Sequence, residues 1–363
     1  MSGRPSLVFL DDDHVLRILR LILCNAENES RVRDFFVPEN PDFSSLIALA
    51  EGLRRSDGAN VALASESATR ADASVLIFRR GSITKELLAS YRRLKLVQRL
   101  GERADDIDVA AAEARGVYVS CFPRLTVQLT AEHAVLLMLA LAKRLVPADK
   151  MLRDGQHPRT TRSPMDGVLY NWVGVDAPGG LYGKTLGIIG LGEIGSIVAR
   201  IARGFGMHVL YFNRHRIPPE RELASAAEYS ALGDLLARSD FVSLHANLPG
   251  NTKIADRRFF DRMKRSAFFI NTSRGQLVDE DALYEALTAG KIAGAGLDVH
   301  ASEPRPAGER FTALSNVVLT PHIAGGSRSG VLQEFEVIVR NCSAAMRGEP
   351  PSYRVRPRRS ASA

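Results

Sequence analysis

Residues 185–206 read TLGIIGLGEIGSIVARIARGFG. A short apolar run of strand length, TLGII, meets glycines at 190, 192 and 195, and apolar residues at helical spacing follow. Strand, G-x-G-x-x-G turn and helix in that order predict a cradle for a pyrophosphate. Gly190 permits the tight turn, Gly192 lets the backbone approach a phosphate, and Gly195 lets helix and strand pack closely. Glu193 and Ile194 lie at the helix start, where unpaired N–H groups and the helix dipole favour negative charge. The expected ligand is therefore a dinucleotide.

The next apolar run continues as YFNRHR, residues 211–216. A strand in this position usually ends in an acid that accepts hydrogen bonds from the ribose 2′-hydroxyl of NAD. Here it ends in Asn213, which carries no charge to repel a 2′-phosphate. Arg214, His215 and Arg216 follow as cationic donors, and an arginine grips a phosphate through paired charge-assisted bonds. The expectation is a site that prefers NADP(H) and still admits NAD(H).

Outward from this stretch, the chain alternates strand-like and helix-like segments, the pattern of parallel sheets covered by helices. SLVFL, NVALA, SVLIF, LKLVQRL and GVYVS are strand candidates before residue 122, and HVLYFN, FVSLHA, AFFINTS, AGAGLDV and NVVLTP follow TLGIIG after it. With 363 residues, two α/β domains are expected. Between the two series, VQLTAEHAVLLMLALAKRLVPADKMLR (127–153) predicts one long apolar helix interrupted or ended near Pro147. The Gly- and Pro-bearing stretch after it predicts a long packed loop, in which Tyr170 and Trp172 either pack on the surface, the favoured reading, or wall a site.

Composition narrows the class. With 45% hydrophobic and 25% charged residues the chain resembles an ordinary soluble protein. Cys24, Cys121 and Cys342 are odd in number and far apart, which argues against a disulfide scaffold or zinc site and fits a reducing cytoplasm. No metal is expected. The first residues lack the apolar region of a secretory signal, and the run AVLLMLALA is too short to span a membrane. The net charge of +7 includes four arginines in the tail SYRVRPRRSASA, leaving 7 − 4 = +3 elsewhere. With no nucleic-acid-binding motif beside it, the stretch from residue 353 to 363 reads as a solvated, disordered end.

Chemistry is expected beside the cofactor, outside the carboxyl ends of the strands. AFFINTSRG presents Arg274 there, GLDVHASEP presents Asp298 and Glu303, and NVVLTPHIAGG presents His322. A cation, a carboxylate and an imidazole are what the interconversion of a 2-keto acid and a 2-hydroxy acid requires. His322 would move the proton, since imidazole switches charge near neutrality. Glu303 would hold its ring and favour its protonated form. Arg274 would bind the substrate carboxylate and polarise the carbonyl.

GLGEIG, INTSRGQLVDEDAL, GAGLDVHASEP and LTPHIAG, in this order and spacing, resemble the signatures of the D-isomer-specific 2-hydroxyacid dehydrogenases. The resemblance implies Arg274, Glu303 and His322 as the catalytic set, Asp298 as a contact to the nicotinamide amide, and Thr272 and Ser273 beside the cofactor. It implies a homodimer built on the long helix, and an NADPH-dependent reductase of small 2-keto acids such as glyoxylate or hydroxypyruvate. It further implies a Rossmann NAD(P)-binding domain over 123–322 and a flavodoxin-like substrate domain over 1–122 with 323–352. Phosphoglycerate, formate or phosphite dehydrogenases on the same scaffold, and dinucleotide-sensing corepressors that keep the triad, remain compatible with these residues.

Three places depart from the family pattern. Where the family often reads G-V-G-Y-D-N-I-D and cradles the substrate carboxylate, this chain has GERADDID, so Gly101 is followed by Glu102 and Arg103. Arg103 either adds a cation for a second anionic group or points to solvent. Arg124 in CFPRLT and Asn247 in HANLP also differ, and both bear on the substrate rather than the reaction.

Overall fold

Every strand candidate in the sequence becomes a strand, and the runs without alternation are buried on both faces, as parallel strands covered by helices require. The computed structural model describes residues 6–24, 29–37, 39–56, 60–63, 72–155, 171, 173–246 and 252–357. Tyr170, Trp172, Asn247 and the last six residues of the tail lie outside the described residues. The chain divides into two units, Met1–Thr126 with Ser327–Ala363, and Val127–Gly326.

In the first unit, strands β1 (Ser6–Phe9), β2 (Asn60–Leu63), β3 (Ala73–Phe78), β4 (Leu96–Arg99) and β5 (Tyr118–Cys121) pair in parallel in the order β2-β1-β3-β4-β5. This is the flavodoxin-like doubly wound order. Leu16 and Leu19 of the helix His14–Cys24 and Phe335 and Ile338 of Ser329–Met346 fill one face, and Leu88, Tyr91 and Ala112 fill the other.

In the second unit, β6 (Thr185–Ile189), β7 (His208–Phe212), β8 (Glu228–Tyr229), β9 (Phe241–Leu244), β10 (Phe268–Asn271), β11 (Gly294–Leu297) and β12 (Val317–Leu319) form one parallel sheet, ordered β12-β11-β10-β9-β6-β7-β8. Counted from β6, this is the Rossmann order with one strand added, and its direction of winding reverses between β6 and β9. The helix Leu125–Ala142 packs on β11 through Gly296, where an added Cβ would lie 2.9 Å from Leu137. That helix has the length and mean hydropathy of a membrane span, yet half of it is buried inside the protein.

Three features differ from expectation. The long helix ends at Ala142, and a second, Leu145–Arg153, starts after Arg144 turns into the left-handed region at φ 54°. Pro147 falls in the first turn of the second helix, where its missing N–H costs nothing, so it does not mark the break. The second feature is the short β8 on the sheet edge, which carries no apolar alternation that would predict a strand.

The third is the tail, which is not free throughout. Arg354–Val355 forms β13, antiparallel to β5, so the last strand of the first sheet is covered rather than left as an open edge. Arg354 pairs with Glu113 and lies over the Tyr118 ring, while Ser352 accepts from Ser120 and buried Asn341.

Candidate active site

The glycine loop sits at the switch point of the second sheet. Gly190 has φ 100°, and a Cβ there would come within 2.8 Å of the His245 and Ala246 backbone at the end of β9. Gly195 lies against the Gly190 carbonyl, 2.3 Å from where its own Cβ would be. Around Gly192 no described residue lies within 4 Å of that position, which leaves room there for a phosphate to approach the loop.

Gly192 caps the helix Glu193–Gly204 without a side-chain bond, and the first-turn N–H groups of Ile194 and Gly195 face the helix N-terminus, where a ligand's negative charge is favoured. The residues present thus fit a pyrophosphate. His245, whose peptide supports Gly190, is neutral near pH 7, because burial pushes its imidazole down to about 4. Its Nε2 lies 2.8 Å from the Ser243 hydroxyl.

At the end of β7, Asn213 Oδ1 accepts from Leu191 N–H at 2.7 Å, tying the strand end to the glycine loop. Arg214 and His215 are exposed. Arg216 has another partner. It holds Glu222 through Nε and Nη2 at 2.7 and 2.9 Å and lies over the Tyr229 ring. Arg216 and the Tyr211 hydroxyl together bring the Glu222 carboxyl down to about 2. Of the three expected cationic donors, Arg216 is thus paired with the carboxylate six residues on, in an exposed ion pair.

Arg274, Asp298, Glu303 and His322 lie beyond the ends of β10, β11 and β12, three adjacent strands. Buried Asn271 shapes the Arg274 loop: its Oδ1 accepts from Ser273 N–H and its Nδ2 donates to Arg274 O, both at 3.0 Å. The Ser273 hydroxyl donates to Leu244 O, whereas the buried Thr272 hydroxyl has no hydrogen-bond partner among the described residues. Arg274 itself is exposed, with Nη1 donating to Ser273 O at 2.6 Å. Gly275 then rests directly on the His300 peptide, 1.9 Å from where a Cβ would stand, which sets the Arg274 loop against the Glu303 loop.

His322 Nδ1 lies 2.6 Å from Glu303 Oε2. A carboxylate accepts, so Nδ1 carries the proton and Nε2 is the ring position left for chemistry. The other carboxylate oxygen, Glu303 Oε1, accepts from His300 N–H at 2.9 Å. His322 adopts a left-handed backbone, φ 56°, and its N–H is held by Asp298 O at 2.8 Å. Asp298 is fully buried, and its carboxylate accepts from Ile323 N–H, Ala324 N–H and the Thr320 hydroxyl. Among the described residues no group of three His, Cys, Asp or Glu is arranged to hold a metal.

In the first unit, Arg103 makes a two-pronged pair with Asp105 at 3.0 and 2.7 Å. The pair is exposed, and the acid two residues on is visible in GERADDID. Gly101 O accepts from Phe122 N–H, and exposed Glu102 follows it. Arg124, expected to bear on the substrate, is buried instead. Its Nε donates to Glu334 at 2.8 Å, a partner 210 residues away that no local pattern reveals.

Comparison with known proteins agrees with the geometry. Residues 135–324 match the family described as D-isomer specific 2-hydroxyacid dehydrogenase, NAD binding domain. The chain is 42% identical over 271 residues to a glyoxylate reductase of Korarchaeum cryptofilum, spanning 74% of this chain and 78% of that protein. It is 41% identical over 276 residues to a glyoxylate reductase of Thermococcus kodakarensis, with coverage of 74% and 78%. The crystal structure of a glyoxylate reductase from Paecilomyes thermophila matches with a TM-score of 0.54 and 28% identity over 97% of this chain and 98% of that one. Two doubly wound sheets, an open glycine cradle and an Arg, Glu, His set on adjacent strand ends, together with these similarities, make the chain a member of the D-isomer-specific 2-hydroxyacid dehydrogenases, oxidoreductases that use a nicotinamide dinucleotide on the CH–OH group.

Proposed function

We propose that this protein is an NADPH-preferring reductase of small 2-keto acids, glyoxylate and hydroxypyruvate first among them. The observation that carries the reading is the His322–Glu303 pair at 2.6 Å, beyond strands adjacent to the one that ends at Arg274. The glyoxylate reductases among the relatives favour the same substrate class. The bound dinucleotide supplies the hydride. Arg274 binds the substrate carboxylate and draws density from the keto oxygen. His322 Nε2 delivers the proton to that oxygen, and Glu303 stabilises the protonated ring through Nδ1. Thr272, Ser273 and Asp298 border the nicotinamide end. Steady-state rates over a panel of 2-keto acids, each with NADPH and NADH, test the proposal. Binding of either cofactor without turnover of any keto acid would overturn it in favour of a sensor.

The cofactor preference rests on Asn213 and Arg214, with His215 beside them. Asn213→Asp preserves the acceptor for Leu191 N–H and adds a charge where a 2′-phosphate would lie. Arg214→Ala removes one charge-assisted hydrogen bond, so kcat/KM with NADPH is expected to fall by about tenfold to a hundredfold, with little change for NADH. Equal losses with both cofactors would remove Arg214 from the phosphate site.

We propose further that the protein works in the cytoplasm as a homodimer. Leu136, Leu145, Val146 and Leu152, on the two consecutive helices Leu125–Ala142 and Leu145–Arg153, are each half exposed, an apolar surface suited to a second copy. Light scattering of Leu136→Asp should then show a monomer where the parent protein shows a dimer.

A further inference from the structure

The loop that carries His322 is held from below by a chain of side chains outside the reacting set. Asp298 is completely buried and grips three consecutive peptides: its carbonyl takes His322 N–H at 2.8 Å, Oδ1 takes Ile323 N–H at 2.9 Å, and Oδ2 takes Ala324 N–H at 2.9 Å. The Thr320 hydroxyl lies 2.6 Å from Asp298 Oδ1, and His133 Nε2 lies 3.0 Å from that hydroxyl.

The direction of each bond follows from chemistry. A carboxylate only accepts, so Thr320 Oγ1 donates its single proton to Asp298. What it then offers His133 is a lone pair, so His133 Nε2 carries a proton and donates. The same Nε2 is 3.5 Å from Asp298 Oδ1, within the field of the carboxylate. Thr320 is engaged on its other side as well, since its carbonyl accepts from His300 Nε2 at 3.0 Å and from His322 N–H at 3.1 Å. A non-glycine residue in the left-handed region persists only where its surroundings over-determine it, and these bonds do so for His322.

We infer that Thr320 and His133 are positioning residues for His322: the one-way chain from His133 through the Thr320 hydroxyl to Asp298 aims the imidazole at the substrate oxygen. His133 belongs to the long helix and Thr320 to the end of β12, so the chain fastens the loop to a rigid element. This inference rests on the reading of His322 as the proton carrier.

Thr320→Val keeps the shape and removes the hydroxyl, and His133→Phe removes the donor from the other end. With full-length protein, glyoxylate and NADPH, each is expected to lower kcat by about tenfold to a hundredfold, the cost of a small misalignment of a reacting group. NADPH affinity, read from its fluorescence, should stay within about threefold, and Thr320→Ser and His133→Gln, which restore the bonds, should return kcat to within about threefold of the parent. His322→Ala is run beside them. Wild-type kcat in Thr320→Val or His133→Phe, with His322→Ala inactive, would overturn the inference alone. Loss of NADPH binding in step with kcat would overturn it in favour of a general structural role. An unimpaired His322→Ala enzyme would overturn both the inference and the reading beneath it. Should Thr320→Val fail to fold, His133→Phe and His133→Gln distinguish the same outcomes.

Discussion

His322→Ala is expected to reduce kcat for glyoxylate reduction by about a thousandfold while leaving NADPH affinity within about threefold, because a positioned general acid contributes roughly 10²- to 10⁴-fold. Cofactor binding should survive, since His322 lies on the loop after β12 whereas the glycine cradle lies after β6. The Glu303 contact at 2.6 Å makes a second, smaller expectation. Glu303→Gln still accepts from Nδ1 but no longer offsets the positive charge of the ring, so kcat should fall by about tenfold to a hundredfold, less than in His322→Ala. A His322→Ala enzyme with unimpaired turnover would remove the imidazole from the reaction.

Gly275→Ala should be the most damaging single-methyl change in the site. The new Cβ would fall 1.9 Å from the His300 carbonyl carbon and 2.1 Å from its oxygen, and both are main-chain atoms that no rotamer change moves aside. Either the Arg274 loop or the Glu303 loop must retreat. The expected cost is about 3 kcal/mol, at the high end for overpacking. That corresponds to a melting temperature lower by roughly 6–12 °C for a unit of this size. Because each of those loops carries a reacting group, Arg274 or Glu303, displacing either should also lower kcat/KM for the keto acid by about a hundredfold or more.

Gly192→Ala is the contrast. With no described residue within 4 Å of that position, the protein should melt as the parent does and lose dinucleotide affinity instead. Equal melting temperatures for Gly275→Ala and the parent would show that the contact yields without cost.

These expectations draw on features of unequal legibility. The strands, the glycine loop and the residues at the strand ends could be read because each depends on neighbours in sequence: apolar runs bounded by turns, or glycine where the chain must bend sharply. Arg274, Glu303 and His322 were nameable because each closes an apolar run, so their place on one sheet edge followed once the sheet was parallel. The break after Ala142 was not, since a lone left-handed arginine leaves no pattern, and Pro147 drew attention to itself from a position where it is harmless.

Charged side chains were the least legible. Arg103 and Arg216 invited a role with an anionic ligand and Arg124 a bearing on the substrate, and each is held by a carboxylate of its own chain: Asp105, Glu222 and Glu334 respectively. Two of these acids lie within six residues, near enough to notice, but whether such a pair forms depends on packing and geometry that spacing does not encode. Local order in the chain sets the doubly wound sheets, the phosphate cradle and the identity of the reacting groups. Only the folded structure decides which arginines remain for a ligand, how β13 closes the sheet edge, and how His133 and Thr320 brace His322. Such contacts join residues far apart in the chain, Gln98 and Asn341 across 243 positions among them, and depend on competition among all the donors and acceptors that folding brings within reach.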